Sequence, residues 1–158
     1  MKKEFKALIS ESQKSLEKAE EKIESFSEDL SEDATVFWLD LKKRLSRVKG
    51  KLEDAYDHFE EEAELKAHLG VMEARDQIEK LKGTMDNFTH KVSNGLQEEL
   101  DIAALRAHLA KMESEDLWSE KQKDLTQMYD RSKDEVQKLA KRSLEEMNQL
   151  FLKLTELR

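Results

Sequence analysis

The chain has no cysteine and no proline, and it has only four glycines in 158 residues. Without cysteine, neither a disulfide nor thiolate chemistry is possible. Disordered chains are usually rich in proline and glycine, so their scarcity argues against disorder. Glutamate, lysine, leucine, alanine and serine dominate instead, and most of these residues favour helices. The composition therefore predicts an all-α protein.

Long hydrophobic runs are also missing. No stretch approaches the roughly 20 apolar residues that span a bilayer. The basic start Met1-Lys2-Lys3 is not followed by the apolar segment of a signal peptide, so the expected location is the cytoplasm. The net charge of −8 disfavours nucleic acid as a partner, because phosphate contacts require a basic face.

The hydrophobic share is too small for a large compact core. Hydrophobic residues make up 37% of the chain and charged residues 41%, and the mean hydropathy is −0.85. A bundle of a few long helices tolerates this balance, since each helix buries only one stripe. We expect a single domain over residues 1–158, built as an elongated antiparallel helical bundle or coiled coil.

Heptad spacing places three long helices, at about 2–30, 32–93 and 96–157. The first carries one unbroken seam, the seam of the second shifts at the acidic run and resumes at Val71, and Ser93-Asn94-Gly95 is the strongest turn sequence in the chain. The seam residues are Phe5, Ile9, Ser12, Leu16, Ala19, Ile23, Phe26 and Leu30; then Trp38, Leu41, Leu45, Val48, Leu52, Ala55 and Phe59; then Val71, Ala74, Ile78, Leu81, Met85, Phe88 and Val92; and finally Leu125, Tyr129, Ser132, Val136, Leu139, Ser143, Leu150, Leu154 and Leu157.

A shorter four- or five-helix bundle is the alternative. Glycine disfavours a helix interior by about 1 kcal/mol relative to alanine, which makes Gly70 one candidate break. Ser114, followed by Glu115 and Asp116, resembles the cap of a new helix and is the other.

Charge patterning predicts that the first two helices form an antiparallel hairpin. Residues 42–51 carry six basic side chains and no acid, whereas residues 53–64 carry seven acids and no base. A reversal near residue 31 places the basic block beside Glu20 and Glu24, and the acidic block beside Lys6. Opposite charges then face each other along the hairpin, which selects its orientation.

One block of sequence occurs twice, at 63–76 and 103–116. Eight of its fourteen positions are identical in the two copies, and Lys66 becomes Arg106. The helical wheel places Leu65, Leu69 and Met72 on one stripe of the first copy. The corresponding residues of the second copy are Leu105, Leu109 and Met112.

The predicted first helix is too short to cover this part of the rod. The blocks are therefore expected to form an association surface through which the chain makes a homodimer. That surface comprises Leu65, Leu69, Met72, Leu105, Leu109, Met112 and Trp118.

Each copy also contains a histidine at the edge of its stripe, His68 and His108. Both are candidate metal ligands or pH-sensitive groups. However, leucine stands three residues before each histidine, so the Glu-x-x-His motif of di-iron bundles is absent. A methionine four residues later suits a soft metal but is more typical of a core. We therefore expect no metal and no cofactor.

No motif for catalysis is present: there is no glycine-rich phosphate loop, no Gly-x-Ser-x-Gly and no Cys–His pair. The sequence favours a non-catalytic structural or protein-interaction coiled-coil protein that self-associates through residues 61–128. A membrane- or lipid-surface protein is the alternative, disfavoured by narrow seams and acidic charge. A metal-binding helical bundle is the third reading.

Overall fold

The computed structural model describes residues 2–26, 28, 30–96, 101–114 and 118–156. Within these residues the chain is all-helical, as the composition predicts, and forms six helices. They are α1 (Lys2–Glu24), α2 (Glu32–Glu60), α3 (Glu64–Ser93), α4 (Ile102–Ser114), α5 (Trp118–Arg131) and α6 (Lys133–Thr155).

The predicted hairpin of the first two helices is confirmed. Lys6 pairs with Glu60 at 3.0 Å, Lys49 pairs with Glu20 at 3.1 Å, and Lys42 pairs with Glu24. In these pairs the residue number falls along α2 as it rises along α1, so the two helices run antiparallel. The register is shifted by a few residues from the one that a reversal near residue 31 predicts. Ser31 caps α2 by accepting a hydrogen bond from the Ala34 amide.

The expected single helix over 32–93 is wrong, because the chain reverses at 61–63. The amide of Ala63 donates to the carbonyl of His58 at 2.8 Å, and Glu62 adopts φ +62°. This is a Schellman-type helix end, in which a left-handed residue is normally glycine. α3 then returns along α2, with the Phe37 and Phe88 ring centroids 5.2 Å apart.

The turn predicted at Ser93-Asn94-Gly95 is confirmed. α3 ends at Ser93, Gly95 has φ +70°, and the Leu96 amide donates to the carbonyl of Lys91 at 2.7 Å. Gly70, by contrast, lies inside α3, so the alternative break near that residue is wrong. The other alternative break agrees with the structure, since α4 ends at Ser114. Glu115 and Asp116 lie outside the described residues.

The expected helix over 96–157 is also wrong in its continuity. The backbone of Ser132 is extended, at φ −154° and ψ 99°, and the chain turns back on itself there. The Ser132 hydroxyl accepts from the Glu135 amide at 3.4 Å, so the residue caps α6. The sequence Ser132-Lys133-Asp134-Glu135 fits a capping box, which explains the new helix start. Leu157 lies outside the described residues.

Four helices form the bundle, in the cyclic order α1, α2, α3, α6. α6 runs parallel to α1, because Glu4 pairs with Lys141 and Ser15 bonds to Asn148. α5 lies outside this ring and runs antiparallel to α3, where Asp76 meets Lys121 and Glu64 meets Tyr129. α4 packs against α3 and the edge of α2.

The first three predicted seams all face the core. Every one of their residues is buried except Phe26 and Leu30, which are half-buried. The fourth is only partly right, because α6 also buries four residues that the seam omits: Ala140, Leu144, Met147 and Phe151. The longest described helix has 30 residues, about 45 Å at 1.5 Å per residue, which is half the length expected for the rod's long helices.

Candidate association surface

The two repeat blocks lie on different elements. The first copy opens α3 and the second, as far as it is described, forms α4. Four of the seven predicted surface residues are buried within the chain itself: Leu69, Met72, Leu105 and Leu109. Leu65, Met112 and Trp118 are half-buried. The leucine stripe of the repeat therefore packs α3 into the bundle and α4 onto α3.

The stripe is covered because the chain reverses twice more than the sequence predicts. The reversal at Glu62 lays α3 along α2, and the reversal at Ser132 brings α6 beside α3. α3 thereby contacts α2, α4, α5 and α6. The expected uncovered half of a long rod does not form. In residues 61–128 the two helices with the largest share of exposed residues are α4 and α5, which form an outer layer on the bundle.

That outer layer is thin. Along α5, all of whose residues the structure describes, no side chain is buried. Its apolar residues Trp118, Leu125, Met128 and Tyr129 contact the core while remaining half-exposed. In α4 the described buried residues are Leu105 and Leu109. The apolar content of the layer is thus only partly removed from water.

Trp118 stands between two open grooves. One, of about 290 Å³, is lined by Met72 and Asp76 of α3, Leu125 of α5 and Leu139 of α6. The other, of about 300 Å³, lies on the α2 side and is lined by Leu69, Gly70 and charged side chains of α2 and α3. A large aromatic ring flanked by partly apolar grooves of mixed charge is suited to protein contact.

Polar contacts attach α5 to α3 at two heights. Lys121 Nζ donates to Asp76 Oδ1 at 2.9 Å, and Lys80 lies 3.6 Å from the other oxygen of the same carboxylate. Eight residues further along α5, or about two turns, Tyr129 Oη lies 3.5 Å from Glu64 Oε2. The Asp76 side chain is only 12% exposed, so this carboxylate is held between two ammonium groups in a largely dry position.

His68 is enclosed by aromatic rings and is 1% exposed. Its ring centroid lies 4.9 Å from Phe5, 5.3 Å from Phe59 and 6.5 Å from Tyr129. Neither ring nitrogen has a hydrogen-bond partner among the described residues. Burial lowers the pKa of His68 below its usual value, and the nearby Glu64 opposes this effect. The sequence anticipated a histidine at the edge of the stripe, and the structure places it inside the core.

His108 lies far from His68. Its Nε2 is 3.9 Å from where a β-carbon would stand at Gly83, which is fifteen residues, or about 22 Å, along α3 from His68. The two candidate ligands are therefore not brought together. Within the described part of the chain, no group of three or more His, Asp or Glu side chains is arranged to hold a metal ion.

Two features of this region were not predicted from the sequence: the aromatic side chains around His68 and the corner at Ser132. The aromatic box around His68 draws on α1, α2 and α5, and no local spacing links Phe5, Phe59 and Tyr129. The corner at Ser132 was detectable, because Ser132 and Glu135 have the three-residue spacing of a capping box. The heptad rhythm that continues through this position masks it.

The fold and this surface define an all-helical bundle with an outer helical layer. No protein-family model, curated protein or solved structure matches the chain. Among the helices as described, none is both long and apolar enough to cross a bilayer.

Proposed function

We propose that the protein is a non-catalytic interaction protein that forms a homodimer through its 61–128 region. One observation carries the proposal: the outer layer of this region leaves Trp118 half-exposed between two grooves. Tryptophan is among the residues that most often dominate binding energy at interfaces. A second copy laid across Trp118 would remove the ring and both groove walls from water.

The charges around Trp118 suit a second copy of the same surface. The groove on the α2 side combines Lys51 and Lys66 with Asp54 and Glu73, and the opposite groove combines Lys121 with Asp124. A two-fold axis brings each patch onto its own counterpart, so a surface with both signs can complement itself. A patch of one sign would repel its copy instead.

The buried leucines of the repeat support the outer layer from within and do not themselves contact a second copy. Leu69 and Leu109 hold α3 and α4 in place, so an aspartate at either position would unfold the layer rather than test association. Trp118 is the informative position because it is half-exposed and borders both grooves. Leu39, 53% exposed on the outer face of α2, offers an apolar control outside the region.

Sedimentation equilibrium at micromolar concentration tests the proposal. We expect a dimer for the natural chain, at least tenfold weaker association for Trp118→Glu, and unchanged association for Leu39→Glu. Circular dichroism verifies that both variants keep their helices. A monomer at every concentration refutes the homodimer, and equal weakening by both substitutions refutes the assignment to 61–128.

A further inference from the structure

The C-terminal helix α6 is joined to α5 by a single residue. Ser132 alone separates Arg131 from Lys133, and its backbone is extended without strain. The Ser132 amide still donates to the carbonyl of Met128 at 2.7 Å, so α5 is helical up to the corner itself. Ser132 has φ −154° and ψ 99°, and moving both angles of this one residue to helical values is enough to convert the corner into continuous helix.

The sequence favours that continuous helix as well as the corner. Leu125, Tyr129, Ser132, Val136, Leu139 and Ser143 keep a 4-3-4-3-4 spacing through the break. Between Ile102 and Thr155 there is neither glycine nor proline to enforce a turn. A straight helix would place this whole seam on one face and would pair the first amides of α6 with carbonyls at the end of α5. The capping box and the heptad rhythm thus compete at Ser132.

We propose that the dimer forms by exchange of α6: Ser132 becomes helical, and α6 of each chain fills the place between α1 and α3 of a second copy. This rests on the proposed function for the existence of a homodimer that uses the 61–128 region. It places the contact elsewhere in that region: the partner's α6 docks on α3, and the two-fold axis lies at the Ser132 end of the bundle instead of across Trp118. Exchange of an identical element is a low-cost route to a dimer because the same contacts form in both states.

The helix directions permit the exchange. α5 runs antiparallel to α3, and α6 runs parallel to α1 and hence to α3. A helix that continues beyond the end of α5 keeps the direction of α5. In a copy inverted by a two-fold axis at this end of the bundle, that is the direction of α6. Each straight helix of 38 residues, about 57 Å, would bridge the two bundles.

The face of α6 that would pack into the second copy is the face that it buries in its own bundle. It buries seven residues in the bundle: Val136, Ala140, Ser143, Leu144, Met147, Phe151 and Leu154. Polar contacts flank them, with Glu146 2.8 Å from Arg75 of α3 and Lys141 2.6 Å from Glu4 of α1. All of these partners exist in a second copy, so the contacts of α6 that exchange breaks within one chain form again between the two chains.

An engineered disulfide distinguishes exchange from surface association. Ser15 Oγ and Asn148 Oδ1 lie 2.6 Å apart, so Ser15→Cys with Asn148→Cys places two thiols between α1 and α6. The chain has no other cysteine to interfere. After oxidation of the dimer, non-reducing electrophoresis should show two chains joined covalently. A dimer in sedimentation whose disulfide closes within one chain overturns the exchange and leaves the proposed function intact, whereas a monomer overturns both.

A proline at the corner gives a second, independent measurement. Lys133→Pro occupies the first position of α6, which proline favours, and excludes Ser132 from the helical region. Lys133→Ala removes the same charge and the contact of Lys133 with the Tyr129 ring, but it permits a straight helix. We expect Lys133→Pro to reduce the dimer at least tenfold and Lys133→Ala to retain it. Ser132→Ala, which removes the cap, should increase it. A dimer that Lys133→Pro does not weaken overturns the exchange even where no disulfide forms.

Discussion

Lys121 of α5 donates a 2.9 Å hydrogen bond to the largely buried carboxylate of Asp76 in α3. This contact joins the outer layer to the bundle at the level of Trp118. Because α5 buries no side chain, a polar attachment has more influence on its position than it would for a core helix.

Lys121→Met should loosen α5 without unfolding the bundle. The lysine is half-exposed, so we expect a loss of only about 0.5–1 kcal/mol in the free energy of unfolding. Amide hydrogen exchange should quicken in α5 while α3 stays protected. Lys123→Met, an exposed position on the same helix, is the matched control and should change neither quantity. Equal effects of the two substitutions would show that the pair with Asp76 does not hold α5.

The stability of the protein should fall in mild acid because of His68. Burial lowers its pKa in the folded state below the ordinary value of about 6.5, so the unfolded chain binds the proton more readily. The stability that neutral His68 provides is complete above about pH 6.5 and is lost as the pH falls through the folded-state pKa. Urea unfolding at pH 5.5 and 7.5 should show a lower unfolding free energy at the acid value.

The groups around His68 do not reverse this sign. Glu64 is the acid that raises its pKa, but desolvation between Phe5 and Phe59 outweighs it, and Tyr129 is neutral in this range. His68→Phe should flatten the dependence between pH 5.5 and 7.5. His108→Gln, the equivalent but exposed histidine of the second copy, should preserve it. An identical slope in His68→Phe and the natural chain would rule out His68 as the source.

Two helical glycines should respond differently to alanine. A β-carbon at Gly70 would lie 3.3 Å from the Ala55 Cβ of α2, whereas one at Gly50 meets nothing within 4 Å. Gly50→Ala should therefore stabilise the protein by about 1 kcal/mol through helix propensity. Gly70→Ala gains the same propensity but must push α2 and α3 apart, so its net effect should be smaller or unfavourable. Thermal unfolding of both variants measures the difference, and a larger gain at Gly70 would contradict the close approach.

Among the described residues, Glu62 and Gly95 have left-handed backbone conformations, and they allow a reciprocal test. Glu62 pays the steric cost that a β-carbon incurs at positive φ, and Gly95 does not. Glu62→Gly should raise the free energy of unfolding by about 1 kcal/mol, and Gly95→Ala should lower it by a similar amount. Chemical denaturation measures both. A loss of stability in Glu62→Gly would mean that α2 and α3 do not meet in this conformation.

The helical character of the chain and the face that each helix buries were predictable, because both depend on the local spacing of apolar residues. Residues such as Leu45, Val48 and Leu52 recur every three or four positions, and all are buried. The hairpin of α1 and α2 was predictable because blocks of opposite charge identify which helices pair. These features need no knowledge of the rest of the chain.

The two reversals were not predicted, for different physical reasons. At Glu62 an acidic, helix-favouring run ends in a left-handed residue without a glycine, so tertiary packing of α3 on α2 outweighs local preference. At Ser132 two local preferences conflict, and packing of α6 between α1 and α3 favours the cap. The prediction of the association surface assumed that neither reversal occurs. In the structure Leu69 and Leu109 are buried inside the chain instead of lying on its surface.

The direction of α6 has an electrostatic consequence. Because α3 and α6 run parallel, their peptide dipoles point the same way, with partial negative charge where both helices end. α5 lies over the groove between them and has the opposite polarity. The reversal at Ser132 thus places the opposed dipole of α5 beside the two aligned dipoles of α3 and α6. Removing α5 would leave these two parallel dipoles without an opposed dipole beside them.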